Sequence, residues 1–107
     1  MAGPPRLYPG TFYHLWDRGV DRGLIFRQEN DYRRFMQGFE LFVSPVAFVY
    51  SYCLIPNHFH FLIRTRTEEE QVKYHLEHVE DLRAEPFQFQ EPSDAIGNFL
   101  NSYVKAS

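Results

Sequence analysis

The sequence predicts an α+β domain in which helices cover one face of an antiparallel sheet. Stretches of β-branched and aromatic residues (11–17, 46–55 and 58–65) alternate with stretches whose apolar residues recur at spacings of three and four. The last two strand-like stretches are separated only by Pro56-Asn57, a connection that fits an antiparallel hairpin and is far too short for a parallel crossover. Hydrophobic residues make up 44% of the 107 residues, with 11 Phe and 7 Tyr, which suffices for one core and excludes a disordered chain.

Residues 1–10 hold Pro4-Pro5 and Pro9-Gly10 and read as an irregular lead-in. Residues 11–17 (TFYHLWD) form the first strand, and residues 18–23 (RGVDRG) a loop followed by the apolar anchor Leu24-Ile25-Phe26. Asn30 or Asp31 caps a helix whose apolar face is Tyr32, Phe35, Met36, Phe39 and Val43. Gly38 weakens that helix by roughly 1 kcal/mol relative to Ala, and Ser44-Pro45 ends it. Residues 46–55 read as a buried strand, Pro56-Asn57 as a turn, and residues 58–65 as its partner strand. Thr67-Glu68-Glu69-Glu70 matches a capping box opening a helix to about Arg83, with a thin stripe (Val72, Leu76, Val79, Leu82) that leaves it mostly exposed. Residues 84–92 read as a loop. Pro92-Ser93-Asp94 opens a last helix with Ile96, Phe99, Leu100 and Tyr103 on one face. The order strand, helix, strand, strand, helix is a ferredoxin-like layout lacking its last strand. The final helix meets no Gly or Pro stop, so residues 1–107 are expected to be one domain cut short at its C-terminus.

The net charge is -3, which argues against a simple electrostatic nucleic-acid binder. The acidic residues gather after residue 66, however, and the first 66 residues hold Arg6, Arg18, Arg22, Arg27, Arg33, Arg34, Arg64 and Arg66, leaving room for a local basic face. A single cysteine, Cys53, excludes an internal disulfide framework and fits a reducing compartment. No apolar run reaches the ~20 residues of a membrane span, and no secretory leader opens the chain. A soluble cytoplasmic protein is the expectation.

His58-Phe59-His60 carries the chemistry. In a strand, residues two apart share a face, so two imidazoles stand side by side with Phe59 on the other face. Each ring must satisfy two nitrogens, so the pair is either half of a metal or catalytic site or a hydrogen-bonded structural pair. Two histidines leave a divalent ion short of ligands. That fits Mg²⁺ or Mn²⁺ completed by a phosphate oxygen, with Zn²⁺ as the rival. Tyr103 is either core or a nucleophile, and the second role requires its helix to pack over the strand of His58 and His60. Arg64 is in phase with the histidines and either reaches a phosphate or ends the strand. His75 and His78 read as a solvated pair, His14 as a weaker candidate, and Cys53 as core filler. Tyr50 and Tyr52 are either core or a stacking surface for unpaired bases.

Tyr13-His14, Arg18-Gly19, Ile25-Phe26 and the run YCLIPNHFHFL (52–62), with FLNSYVK (99–105), together resemble the single-tyrosine HUH transposases, and most of all their REP-associated branch. The likeness spans roughly residues 12–66 and 93–107. It implies an HUH endonuclease type of fold and a DNA-binding transposase that cleaves single-stranded or hairpin DNA and transfers the strand through a 5′-phosphotyrosine intermediate, in DNA recombination. It implies His58 and His60 as ligands of a divalent metal, Mg²⁺ or Mn²⁺, and Tyr103 as the nucleophile. Arg18, Arg22 and Arg64 become DNA-binding candidates, and the protein a monomer or homodimer away from membranes. Where the family carries a further polar metal ligand one turn after the tyrosine, this chain has Ser107. The rival readings are a non-catalytic single-stranded nucleic-acid-binding domain derived from a transposase, and a small structural zinc domain.

Overall fold

The structure is a computed structural model that describes residues 7–105, apart from the side chains of Arg22, Val104 and Lys105. Pro4, Pro5 and Ser107 lie outside the described residues. Strand β1 (Phe12–Arg18) leads through a short 3-10 turn (Val20–Arg22) into helix α1 (Glu29–Phe42). Strands β2 (Ala47–Ile55) and β3 (His58–Thr65) follow, then helices α2 (Glu68–His78) and α3 (Pro92–Leu100), and a π-helical turn (Asn101–Lys105). The sheet is three-stranded and antiparallel in the order β1-β3-β2, so the β1-α1-β2 connection crosses over β3. This α+β arrangement is compatible with a ferredoxin-like layout.

The core lies between one face of the sheet and helices α1 and α3. Phe59, Phe61 and Ile63 of β3 are fully buried, as are Ile96 and Phe99 of α3. Phe39 stacks on Phe61 with ring centroids 4.2 Å apart, and Phe35 meets Phe59 at 5.1 Å and Phe99 at 5.0 Å. These contacts use the predicted apolar face of α1, and each ring pair adds about 0.5–1.5 kcal/mol to the area it buries.

Several local expectations are corrected. Helix α1 starts earlier, with Gln28 at the N-cap. Asp31 is the third helical residue and reaches back to accept hydrogen bonds from the Arg27 and Gln28 N–H groups at 2.8 and 3.2 Å. Strand β2 is an exposed edge rather than a buried strand: Tyr50 and Tyr52 are 56% and 57% exposed, because β3 takes the centre of the sheet. Cys53 is exposed rather than core. Helix α2 stops at His78, short of Arg83, where Val79 turns extended. Leu76 and Leu82 stay exposed, so no apolar burial favours more turns. Its start agrees with the sequence: the Thr67 and Glu70 side chains cap it reciprocally at 3.2 and 3.0 Å. Gln71, buried beneath it, holds the following connection by donating to the Gln90 carbonyl at 2.9 Å and accepting from its N–H at 3.0 Å.

Gly38 has a packing reason. A Cβ there would lie 2.6 Å from Cζ of Tyr103, inside the ring's van der Waals radius. The ring therefore seats on the bare backbone of α1. Gly38→Ala is expected to be less favourable in the wild type than in a Tyr103→Ala background by at least about 0.5 kcal/mol. Chemical denaturation of the four variants measures this coupling, and equal effects in both backgrounds would remove the contact.

Candidate nucleic-acid interface

Helices α1 and α3 leave the opposite face of the sheet uncovered. Along β3 that face carries His58, His60, Leu62 and Arg64, alternating with the buried Phe59, Phe61, Ile63 and Thr65. The register sets Arg18 opposite His58, Trp16 opposite His60 and Phe12 opposite Arg64 on the β1 side. On the β2 side it sets Cys53 opposite His60 and Phe48 opposite Arg64, with an irregularity between Val49 and Ser51. Tyr50, at that irregularity, meets the Phe12 ring at 5.1 Å and accepts a long hydrogen bond from Arg64 Nε at 3.5 Å.

The histidine end of this face is fixed by the Pro56-Asn57 turn. The Pro56 carbonyl accepts from the Ile25 and Phe26 N–H groups at 2.8 and 3.0 Å, and the Asn57 carbonyl accepts from Gly19 N–H at 3.0 Å. Gly19 is required there, since a Cβ would lie 1.9 Å from the Gly23 carbonyl oxygen. His58 Nδ1–H donates to Asn57 Oδ1 at 2.7 Å, which leaves its Nε2 lone pair outward. The His58 and His60 rings stand 5.1 Å apart, nearly perpendicular. His60 Nδ1 shares a 2.8 Å hydrogen bond with His14 Nε2, and the Trp16 ring stacks 6.2 Å from His60. The Arg18 guanidinium sits 5.7 Å from the Trp16 ring centre. Trp16, Arg18, Asn57, His58 and His60 together line a cavity of about 520 Å³.

This donor set fits two ligands of a divalent cation. Burial, and then the neighbouring His14 and His58, push the His60 imidazole below its ordinary value and so favour the neutral, ligating form. Among the described residues, no three His, Cys, Asp or Glu side chains form a metal-holding group, and the histidine pair would leave coordination positions that substrate oxygens or water could fill.

The other predicted residues are placed differently. Tyr103 is half-buried against Phe99 at 5.4 Å and Phe42 at 6.1 Å, and it lines a separate cavity of about 200 Å³ with Arg27, Asp31, Arg34 and Ser102. Phe99 packs on Phe39, and Phe39 on the core face of β3. Tyr103 therefore lies across the sheet from His58 and His60, and the structure does not bring the three together. Arg64 shares the histidine face but is clamped by Glu70 at 2.8 and 3.2 Å. Arg18 is exposed at the cavity, whereas the Arg22 side chain lies outside the description. His75 and His78 donate to the carbonyls of Glu85 and Tyr74, each at 2.7 Å, in keeping with a surface role. Sequence reasoning undervalued His14 and missed Trp16. Period two already sets His14, Trp16 and Arg18 on one side of β1, but only the register with β3 brings that side to the histidines.

No protein-family model, curated protein or solved structure matches this chain. Among the described residues, no helix is long and apolar enough to cross a membrane.

The Arg64 guanidinium, and then the Thr67 backbone N–H, hold the Glu70 carboxyl at about 2 against an ordinary 4.5. A depressed carboxyl contributes stability that is complete above its unfolded value and lost as pH falls through the folded one. Stability is therefore expected to decline from pH 4.5 towards 2, less steeply in Glu70→Gln. Thermal melts across that window test this, and parallel curves would exclude the Glu70 contribution.

Proposed function

We propose that this chain is a single-stranded DNA-processing domain of the HUH transposase type, with its substrate lying across the open sheet face. The observation that carries this reading is the convergence of Trp16, Arg18, His58 and His60 on one uncovered cavity, with His14 beside it. Aromatic faces accept unpaired bases at about 1–3 kcal/mol per stacked base, and Arg18 supplies a phosphate contact next to the Trp16 ring. His58 and His60 would hold a divalent cation, Mg²⁺ or Mn²⁺, whose charge would offset that developing on the scissile phosphate.

The chemistry follows from the resemblance. The tyrosine oxygen bonds to phosphorus, the P–O3′ bond breaks, and the departing 3′ oxygen takes up a proton while the phenol loses one. The product is a 5′-phosphotyrosine, and attack by another 3′-OH reverses the step. One phosphodiester is exchanged for another, so no nucleotide cofactor is consumed. For Tyr103 to act, the segment from Pro92 onward must reach the histidine face, in the same chain or from a second copy. The placement of Tyr103 on the far side favours a second reading, a domain that binds single-stranded nucleic acid without cutting it.

Two measurements separate these readings. Trp16 is the only tryptophan, so its emission reports the face directly. A single-stranded oligonucleotide is expected to quench it, and Trp16→Ala is expected to weaken binding by ~1–3 kcal/mol. Unchanged affinity would move the binding surface elsewhere. The chain is then mixed with 5′- or 3′-labelled hairpin DNA and Mn²⁺ and run on a denaturing gel. A covalent adduct carrying only the downstream fragment, and absent in Tyr103→Phe, supports cleavage. Binding without an adduct supports the non-catalytic reading.

A further inference from the structure

We propose that His14 is a positioning residue for His60: it accepts the His60 Nδ1–H and so keeps the His60 Nε2 lone pair turned to the open face. This rests on the cation reading given above. The observation is the 2.8 Å separation of His14 Nε2 and His60 Nδ1, with the two rings nearly parallel and 5.0 Å apart. His14 pairs with Leu62 in the β1–β3 register, which makes it the diagonal neighbour of His60 on the same face.

The two histidines of β3 differ in what fixes them. His58 has an acceptor-only partner in Asn57 Oδ1, so its Nδ1 carries the proton and its Nε2 is the donor atom. The partner of His60 is another imidazole, and the shared hydrogen can belong to either nitrogen. If His14 donates, the Nδ1 lone pair of His60 is used and its Nε2 carries a proton, which leaves no lone pair for a cation. If His60 donates, its Nε2 is free. A cation on His58 and His60 therefore selects the arrangement in which His14 accepts, and the in-plane, edge-to-edge hydrogen bond fixes the orientation of the His60 ring. The carbonyl and carboxylate partners of metal-bound histidines have this same role, and losing them typically costs 10–100-fold in metal affinity. His14 lies on a different strand from the two ligands, so the HxH stretch gives no hint of it.

The test uses two His14 variants and two readouts other than activity. Phe keeps an aromatic ring at the position but removes the acceptor. Gln offers a carbonyl oxygen that can accept from Nδ1–H. In ¹⁵N-labelled wild type without metal, a through-hydrogen-bond coupling between His60 Nδ1 and His14 Nε2 is expected. On adding Zn²⁺ as a diamagnetic probe, His60 is expected as the Nδ1–H tautomer. Calorimetry with Mn²⁺ and with Zn²⁺ is expected to give an affinity roughly 10-fold or more lower in His14→Phe, largely restored in His14→Gln. Absence of the coupling, or an unchanged affinity in His14→Phe, overturns the positioning role. A wild type that shows the coupling but binds neither ion overturns the cation reading instead, with His14 still orienting His60.

Discussion

Phe59, Phe61 and Ile63 hang from one side of the central strand and are fully buried, while His58, His60 and Arg64 stand on the other. Period two joins the two sets: a one-residue slip of β3 would bury the imidazoles against Phe35 and Phe39 and turn the phenylalanines to water. Removing a buried Phe typically costs 3–5 kcal/mol, and β3 commits two of them together with Ile63 and Thr65. The aromatic core therefore holds the histidines on the open face without touching them. It also explains why the site is built on a central strand: β3 is paired on both edges, and its neighbours add His14, Trp16 and Arg18 from one side and Cys53 from the other.

The hairpin turn is the second fixed point. Its two carbonyls are taken by Ile25, Phe26 and Gly19, so it is tied both to the end of β1 and to the segment leading into α1. The Asn57 side chain then orients His58. The short apolar anchor Ile25-Phe26 thus has two roles. Its side chains are buried in the core, and its backbone holds the turn that carries the first histidine. At the opposite end of β3, the Arg64–Glu70 pair joins the open face to the cap of α2. That pairing neutralises the one Lys or Arg that β3 offers, which leaves Arg18, among the described side chains, as the cation lining the histidine cavity. Under the proposed reading, binding on this face would lean on ring stacking more than on counterion release, in keeping with a net charge of -3.

Much of this was legible in the chain itself. The bounds of β3, the same-face placement of His58 and His60, the Thr67–Glu70 box and the apolar faces of α1 and α3 all follow from spacing, because each depends on residues only two to four apart. What spacing could not supply is which strand lies at the centre. The apolar run of β2 read as buried, yet β3 with its two histidines holds the middle, because an edge position is decided by topology and not by composition. The same blindness left His14 a weaker candidate and passed over Trp16, because the register of β1 on β3 is what brings both to His60. Gly38 read as a flaw in a helix, and its reason is a ring supplied by the far end of the chain.

Tyr103 sets the central tension of the molecule. Its ring is held by Phe99, Phe42 and the bare backbone at Gly38, contacts that belong to the core side. The resemblance that singles out Tyr103 also singles out His58 and His60, yet a phenol on one side of a sheet cannot attack a phosphate lying on the other. Under the proposed reading, nucleic-acid capture and strand cleavage would therefore be separable. The first would need only the open face as it stands. The second needs the residues after the 79–91 connection to leave the groove over α1, exposing Phe99 and opening the space beside Gly38, unless a second chain supplies its own tyrosine. Stability of that docking and access of Tyr103 to the histidines are therefore opposed within one chain.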